Sequence, residues 1–249
     1  MRVAVSTRAD GSMGFTGAPY PDAVRAARRA FLAAAGLDAA AAVAVRQVHG
    51  SRILLAGPGD RGRGGPDPAA VLGEADGIAT HEAGLPLLVL SADCVVGAVA
   101  DRNGRAVGVF HAGWRGVLAG APAAAVEAVA RLASLPAGVR GDFRAVLGPS
   151  IGPCCCEVGE EIPRRFLRRF GDAARAWFRT GRTGKPHLDL PGAVLAALEA
   201  AGVPVEGVRG AGCTRCGVDW FSHRRGDAGR QALVAVRADP DPSSRDSTA

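Results

Sequence analysis

Val95-Val96-Gly97-Ala98-Val99-Ala100-Asp101 and Arg105-Ala106-Val107-Gly108-Val109-Phe110, joined through Arg102-Asn103-Gly104, form the stretch on which the fold turns. Two apolar, Val-rich runs flank an Asn-Gly pair, the strongest short signal for an antiparallel hairpin. If Asn103 and Gly104 are the centre of a two-residue turn, Arg102 faces Arg105 and paired positions sum to 207. Cys94 then lies opposite Gly113, and His111 opposite Val96. Residues opposite one another share a face, as do alternate residues along a strand. Cys94 and His111 therefore point to the same side as diagonal neighbours, with Cα atoms roughly 7–8 Å apart. A three-residue loop would spoil that parity.

Working outward, Val3 to Thr7 reads as a first strand, followed by a helix capped by Asp22 that runs through Ala35 to Gly36. Val43 to Val48 alternates toward a strand, Arg52 to Leu55 continues extended, and Gly57 to Pro68 reads as a mobile surface loop. Leu87 to Leu90 is a buried strand. Beyond the hairpin come a helix from about Gly116 to Ala133, broken softly by Pro122, and a strand from Phe143 to Leu147. Helices from about Val158 to Phe170 and Pro191 to Ala201, then a closing strand at Gln231 to Val236, complete the pattern. No linker divides the chain. Residues 1–237 read as one α/β (α+β) domain of mixed sheets flanked by helices, and residues 238–249 as a polar, disordered tail.

Composition narrows the function classes. Of 249 residues, 48% are hydrophobic and 22% charged, which excludes wholesale disorder. Six Cys, three of them adjacent, are too sparse for a disulfide scaffold and suit a reducing compartment. The segment Met1 to Arg8 lacks the apolar core of a signal peptide, and Pro86 and Asp93 interrupt the longest apolar stretch, Leu85 to Ala100. A cytoplasmic protein with no membrane partner is expected. The net charge of +6 is almost all Arg, since Lys185 is the only lysine. Arg164, Arg165, Arg168 and Arg169 read as a solvated helix face without interleaved aromatics, so no nucleic-acid partner is expected. The oligomeric state is not legible.

Cys94 and His111 on one face are long enough to share a metal with bonds of about 2.0 to 2.3 Å. His49, in Arg46-Gln47-Val48-His49-Gly50-Ser51, is the natural third ligand, at a strand end where Gly50 permits a sharp exit. Two His and one Cys form a catalytic type of zinc sphere with its fourth position open. A buried Cys with two structural His, or a Cys–His dyad for thiol hydrolysis, remain alternatives at this point. In His111-Ala112-Gly113-Trp114-Arg115-Gly116, backbone N–H groups at a helix start, helped by Arg115, would suit a phosphate, unless the segment is only a Gly-rich connection. Asp93 reads as a structural carboxylate. Cys213-Thr214-Arg215-Cys216 resembles half a zinc knuckle, for which Cys154 to Cys156 are the candidate remainder. The favoured expectation is instead buried thiols packed at a helix entry, and one zinc per chain. His81 and His187 default to surface or structural roles, and His223 to a site wall.

Read together, these motifs resemble the YfiH, or laccase-domain, family. The resemblance rests on Arg46 to Gly50, Glu74-Ala75-Asp76-Gly77, Ser91-Ala92-Asp93-Cys94-Val95 and His111 to Gly116. It rests equally on Leu147-Gly148-Pro149-Ser150-Ile151-Gly152-Pro153-Cys154-Cys155, Cys213 to Cys216 and Phe221-Ser222-His223-Arg224-Arg225. The matches run in order from about residue 46 to 236. The family was first labelled multicopper polyphenol oxidase; its members are also described as zinc-dependent purine nucleoside phosphorylases with adenosine deaminase and methylthioadenosine phosphorylase activity. One bacterial branch is described as a peptidoglycan editing factor. The resemblance implies zinc on His49, Cys94 and His111, with copper also able to bind, and a fold like that of cytotoxic necrotizing factor toxins. It implies a purine nucleoside and phosphate as partners, for which Arg8, Arg46 and Arg115 are the candidate contacts. Five His cannot furnish several copper centres. Thr7-Arg8-Ala9-Asp10-Gly11 keeps only the Arg and one Gly of the family's N-terminal motif, and the segment Met13 to Arg29 is shortened.

Overall fold

The computed structural model describes residues 1–16, 20–66, 68–136, 138–204 and 212–238; the expected tail beyond 238 lies outside the described residues. In chain order the elements are β1 (Arg2–Val5), α1 (Pro21–Ala34), β2 (Val43–Ala44), β3 (Ile53–Leu55), β4 (Gly77–Thr80) and β5 (Leu87–Ser91). Then come β6 (Val95–Asp101), β7 (Val107–Ala112), α2 (Trp114–Ala119), α3 (Ala121–Leu132) and β8 (Phe143–Leu147). The last are α4 (Glu161–Phe170), β9 (Phe178–Thr180), β10 (Pro186–Leu188), α5 (Leu190–Ala200) and β11 (Gln231–Val236).

Two mixed sheets lie face to face. One has the order β1-β11-β5-β2 and the other β3-β4-β7-β6-β8, while β9 and β10 form a separate hairpin. Leu87, Val89, Leu233 and Ala235 of the first sheet meet Val96, Ala98, Val107 and Val109 of the second in one buried cluster. The alternate residues Leu88, Ala232 and Val234 face Phe31 and Leu32 of α1. On the far side, Val95, Val99 and Phe110 pack on α3 and α5 through Ala125, Val129, Val194 and Leu198. The layers are therefore helix, sheet, sheet, helix. That explains why β6 and β7 show no polar alternation: all of their residues are buried on both faces.

The hairpin register is as expected. Val96 pairs with His111 and Ala100 with Val107, so paired positions sum to 207. The turn is different. Asn103 lacks the positive φ of a two-residue turn, Gly104 has φ 68°, and Gly104 N–H donates to the Asp101 carbonyl. Four residues, Arg102 to Arg105, thus separate Asp101 from Ala106, and Asp101 organises them by accepting from Asn103 N–H and Ala106 N–H. One even loop replaced another, and the parity survived. Gly97 opposes Phe110, and a Cβ there would stand 2.5 Å from the Phe110 ring, so only glycine leaves room for that side chain.

Other boundaries are corrected. The helix expected over Gly116–Ala133 is two helices, because Gly120 is left-handed at φ 89° and Pro122 starts the second. The helix expected from Val158 begins at Glu161, so Cys154 and Cys155 lie in a turn rather than at a helix entry. Asp22 sits inside the first turn of α1 behind Pro21, paired with Arg25, and does not cap it. The loop from Gly57 to Pro68 is only partly surface: Gly64 and Gly65 are buried, and their carbonyls accept from the buried Arg28 guanidinium. The hairpin of β9 and β10 was not anticipated, since neither strand exceeds three residues.

Candidate metal centre

Asp76, at the entry to β4, is the residue around which the centre is built. Its carboxylate is fully buried and accepts from three consecutive backbone amides, Val48 at 3.3 Å, His49 at 2.9 Å and Gly50 at 2.6 Å. It also lies 2.9 Å from His111 Nδ1. This one side chain therefore sets the loop that carries His49 and orients the ring of His111. The expected sharp exit at Gly50 is instead made by His49 itself, which holds φ 62°. For a residue with a Cβ that conformation is costly, and the grip of Asp76 on the flanking amides sustains it. Gln47 fixes the same loop from the other side, its amide exchanging two 2.8 Å bonds with the Leu90 backbone of β5.

Cys94 is placed by a tight link between β5 and β6. Asp93 takes φ 89°, and the Ser91 hydroxyl donates to the Cys94 carbonyl. Asp93 is the structural carboxylate expected: it is buried and accepts from Thr214 Oγ1 at 2.7 Å and Arg224 N–H at 2.6 Å. Its own carbonyl accepts from Ile151 N–H. The ladder frays just as it reaches the site, ending at Val95 opposite Ala112.

His49, Cys94 and His111 come together, with one ligand atom of each within 4.8 Å of the others. The two imidazoles meet edge to face with centroids 4.9 Å apart. Burial pushes the Cys94 thiol up, but hydrogen bonds and charge from His111 and His49 outweigh it and bring the thiol to about 6. Burial lowers His111, yet Asp76 and Cys94 together lift it to about 9. The donor set fits a metal: two imidazoles and a thiolate, with a carboxylate behind one ring to fix its tautomer. Gly113 supplies the space, since a Cβ there would stand 2.9 Å from Cys94 Sγ and 3.4 Å from His49.

The candidate arginines are placed with other partners. Arg8 pairs with Asp227 at 2.8 Å and lies over Phe221, Arg46 pairs with Glu74 at 2.9 Å, and Arg115 stacks on Trp114. His81 pairs with Glu82, and His187 is 2.9 Å from the Pro153 carbonyl. His223 is exposed. Of the thiols expected to be buried at a helix entry, Cys155 is buried but Cys154 is exposed, and Cys154, Cys155, Cys213 and Cys216 form a second group whose sulfurs lie within 4.8 Å of one another. Asp76 was missed as a positioning group. Its only sequence signal was its place in Glu74-Ala75-Asp76-Gly77, a charge just before a buried strand.

The model of a family described as multi-copper polyphenol oxidoreductase laccase matches residues 4–238. The chain is 38% identical over 207 residues to purine nucleoside phosphorylase SCO2081 of Streptomyces coelicolor, covering 82% of this chain and 78% of that protein. It is 35% identical over 193 residues to adenosine deaminase RL5 of an unknown prokaryotic organism, covering 76% and 72%. The solved structure of YlmD from Geobacillus stearothermophilus superposes with a TM-score of 0.86 at 29% identity, covering 95% of this chain and 92% of that one.

Proposed function

The chain belongs to the multi-copper polyphenol oxidoreductase laccase family, and on that footing we propose that it is a zinc-dependent purine nucleoside phosphorylase that also deaminates adenosine and cleaves methylthioadenosine. The observation that carries this reading is the convergence of His49, Cys94 and His111 on one point, backed by Asp76. The likeness to SCO2081, named a purine nucleoside phosphorylase, and to RL5, named an adenosine deaminase, supports it. We take residues 1–237 as the catalytic unit, acting in the cytoplasm.

His49, Cys94 and His111 would hold the ion, which supplies a Lewis acid to the site when bound. The chain's own residues prepare the place for it. Asp76 accepts a hydrogen bond from His111 Nδ1–H, which leaves Nε2 as the free ligand atom. The depressed Cys94 thiol is a thiolate at neutral pH and needs no base to become a ligand. Arg8, Arg46 and Arg115 would hold phosphate or the nucleoside, each exchanging a present partner to do so. Arg46 and Arg115 are the better placed, the first lying three residues before His49 and the second four residues after His111. A multicopper centre is not our reading, because the described residues gather only two of the five His.

Pure protein incubated with adenosine and phosphate, followed by chromatography, tests this. Adenine with ribose-1-phosphate is expected, together with inosine. If no purine product forms with zinc or any other metal supplied, the reading is wrong and hydrolysis of a muropeptide carrying the wrong amino acid becomes the assay to run.

A further inference from the structure

Four of the five cysteines outside the first centre have a geometry that single packed thiols do not need. Cys216 Sγ lies 3.4 Å from Cys155 Sγ and 3.6 Å from Cys154 Sγ, and all four sulfurs fall within 4.8 Å of one another. A disulfide would require about 2.05 Å. The edge of a tetrahedron with metal–sulfur bonds of about 2.3 Å is roughly 3.8 Å, close to what is seen. We propose that Cys154, Cys155, Cys213 and Cys216 bind one zinc ion as a closed tetrathiolate site, separate from His49, Cys94 and His111.

Three further features support this assignment. Cys213-Thr214-Arg215-Cys216 is a turn, and the Arg215, Cys216 and Gly152 amides hydrogen-bond to the Cys213 thiol. Such amide-to-sulfur bonds stabilise the thiolate that a soft metal requires. Arg215 places its guanidinium 3.5 Å from Cys155 Sγ, and Arg224 donates to the Cys155 carbonyl, so positive charge stands beside the sulfurs. Gly152 keeps the centre open, since a Cβ there would stand 3.3 Å from Cys154 Sγ and 3.1 Å from Cys213 Cβ.

Four thiolates leave no position for substrate, so this is a structural ion. The two loops it fastens are those that grip Asp93. Ile151 N–H holds the Asp93 carbonyl, while Thr214 Oγ1 and Arg224 N–H hold its carboxylate. Asp93 precedes Cys94, so the second ion steadies a ligand of the first.

The test is zinc per chain in protein purified reduced and without chelator. Wild type should hold about two equivalents, and Cys154→Ser/Cys216→Ser and His49→Ala about one each. Cobalt substitution adds a second readout. His49→Ala should keep the intense charge-transfer and visible bands of tetrathiolate cobalt, and the double cysteine variant should lose them. Because His49→Ala leaves all four cysteines in place, that arm decides the question even if the double variant does not fold. Zinc that falls to nothing in His49→Ala overturns the proposal, as does a mass lower by two hydrogens that maps to a bond among these four residues. Two zinc ions in a protein inactive on adenosine would sink the catalytic reading alone, and activity with one would sink this one alone.

Discussion

His49, Cys94 and His111 meet where a regular ladder ends, whereas Cys154, Cys155, Cys213 and Cys216 meet between two loops that touch at the bridge Ser150 to Cys213. The first cluster has three donors and a buried carboxylate behind it; the second has four sulfurs and an arginine beside it. An open sphere needs its geometry imposed from outside, because the ion alone does not fix three ligands. A closed sphere imposes geometry on whatever loops carry it. On this view the sheet makes the first site, and the ion makes the second.

The strongest challenge to that contrast is to remove donors from the first cluster. Cys94→Ser, His49→Ala and His111→Ala should each abolish turnover and release one zinc while leaving the second in place, since two ligands rarely hold a catalytic ion. Metal content and rate, measured together, check it. Full activity in His49→Ala alongside an inactive Cys94→Ser would mean that Cys94 is a nucleophile and the shared-metal site is wrong.

Asp76→Asn comes next. An amide cannot serve both the three loop amides and His111, so zinc affinity or activity should fall roughly 10–100-fold. Zinc competition titration would show it, and an unchanged affinity would remove Asp76 from the site.

A finer comparison concerns the thiols themselves. In metal-free protein, alkylation mapped by mass spectrometry should reach half its plateau near pH 6 at Cys94 and near pH 7 at Cys213. The thiolate is the reactive form, so a lowered thiol stays reactive further into acid and is silenced only below its own midpoint. Two midpoints near the ordinary thiol value of 9 would contradict both assignments. The smallest effect is expected at Arg46→Ala and Arg115→Ala. Both cations have other partners now, so KM for phosphate should rise only several-fold. An unchanged KM in both would take them out of substrate binding.

The same contrast explains what the sequence revealed. Register along β6 and β7 obeys a parity rule, so Val96 opposite His111 could be deduced from Asn103-Gly104 even though the turn itself was misread. His49 was placed by motif, but its left-handed backbone depends on Asp76, which lies 27 positions away. No local pattern reports such a contact. Cys154 and Cys155 suggest a helix entry that does not exist, and the thiols they meet lie about 60 positions away. Loop-to-loop proximity has no periodicity to read. Gly120 shows the same limit on a smaller scale: Pro122 marks a break, but the left-handed Gly120 is what turns a kink into two helices.

The place of β11 bears on how the protein is made. This last strand lies between β1 and β5, and the residues that hold Asp93 follow it by 121 and 131 positions. At translation rates of about 5–20 residues per second, roughly ten seconds pass between synthesis of Cys94 and synthesis of Thr214. During that interval the ribosome-bound chain carries His49, Cys94 and His111 without the clamp on Asp93 and with a gap in its first sheet. Synthesis of Thr214, Arg224 and β11, rather than synthesis of the ligands, is the event that completes the centre.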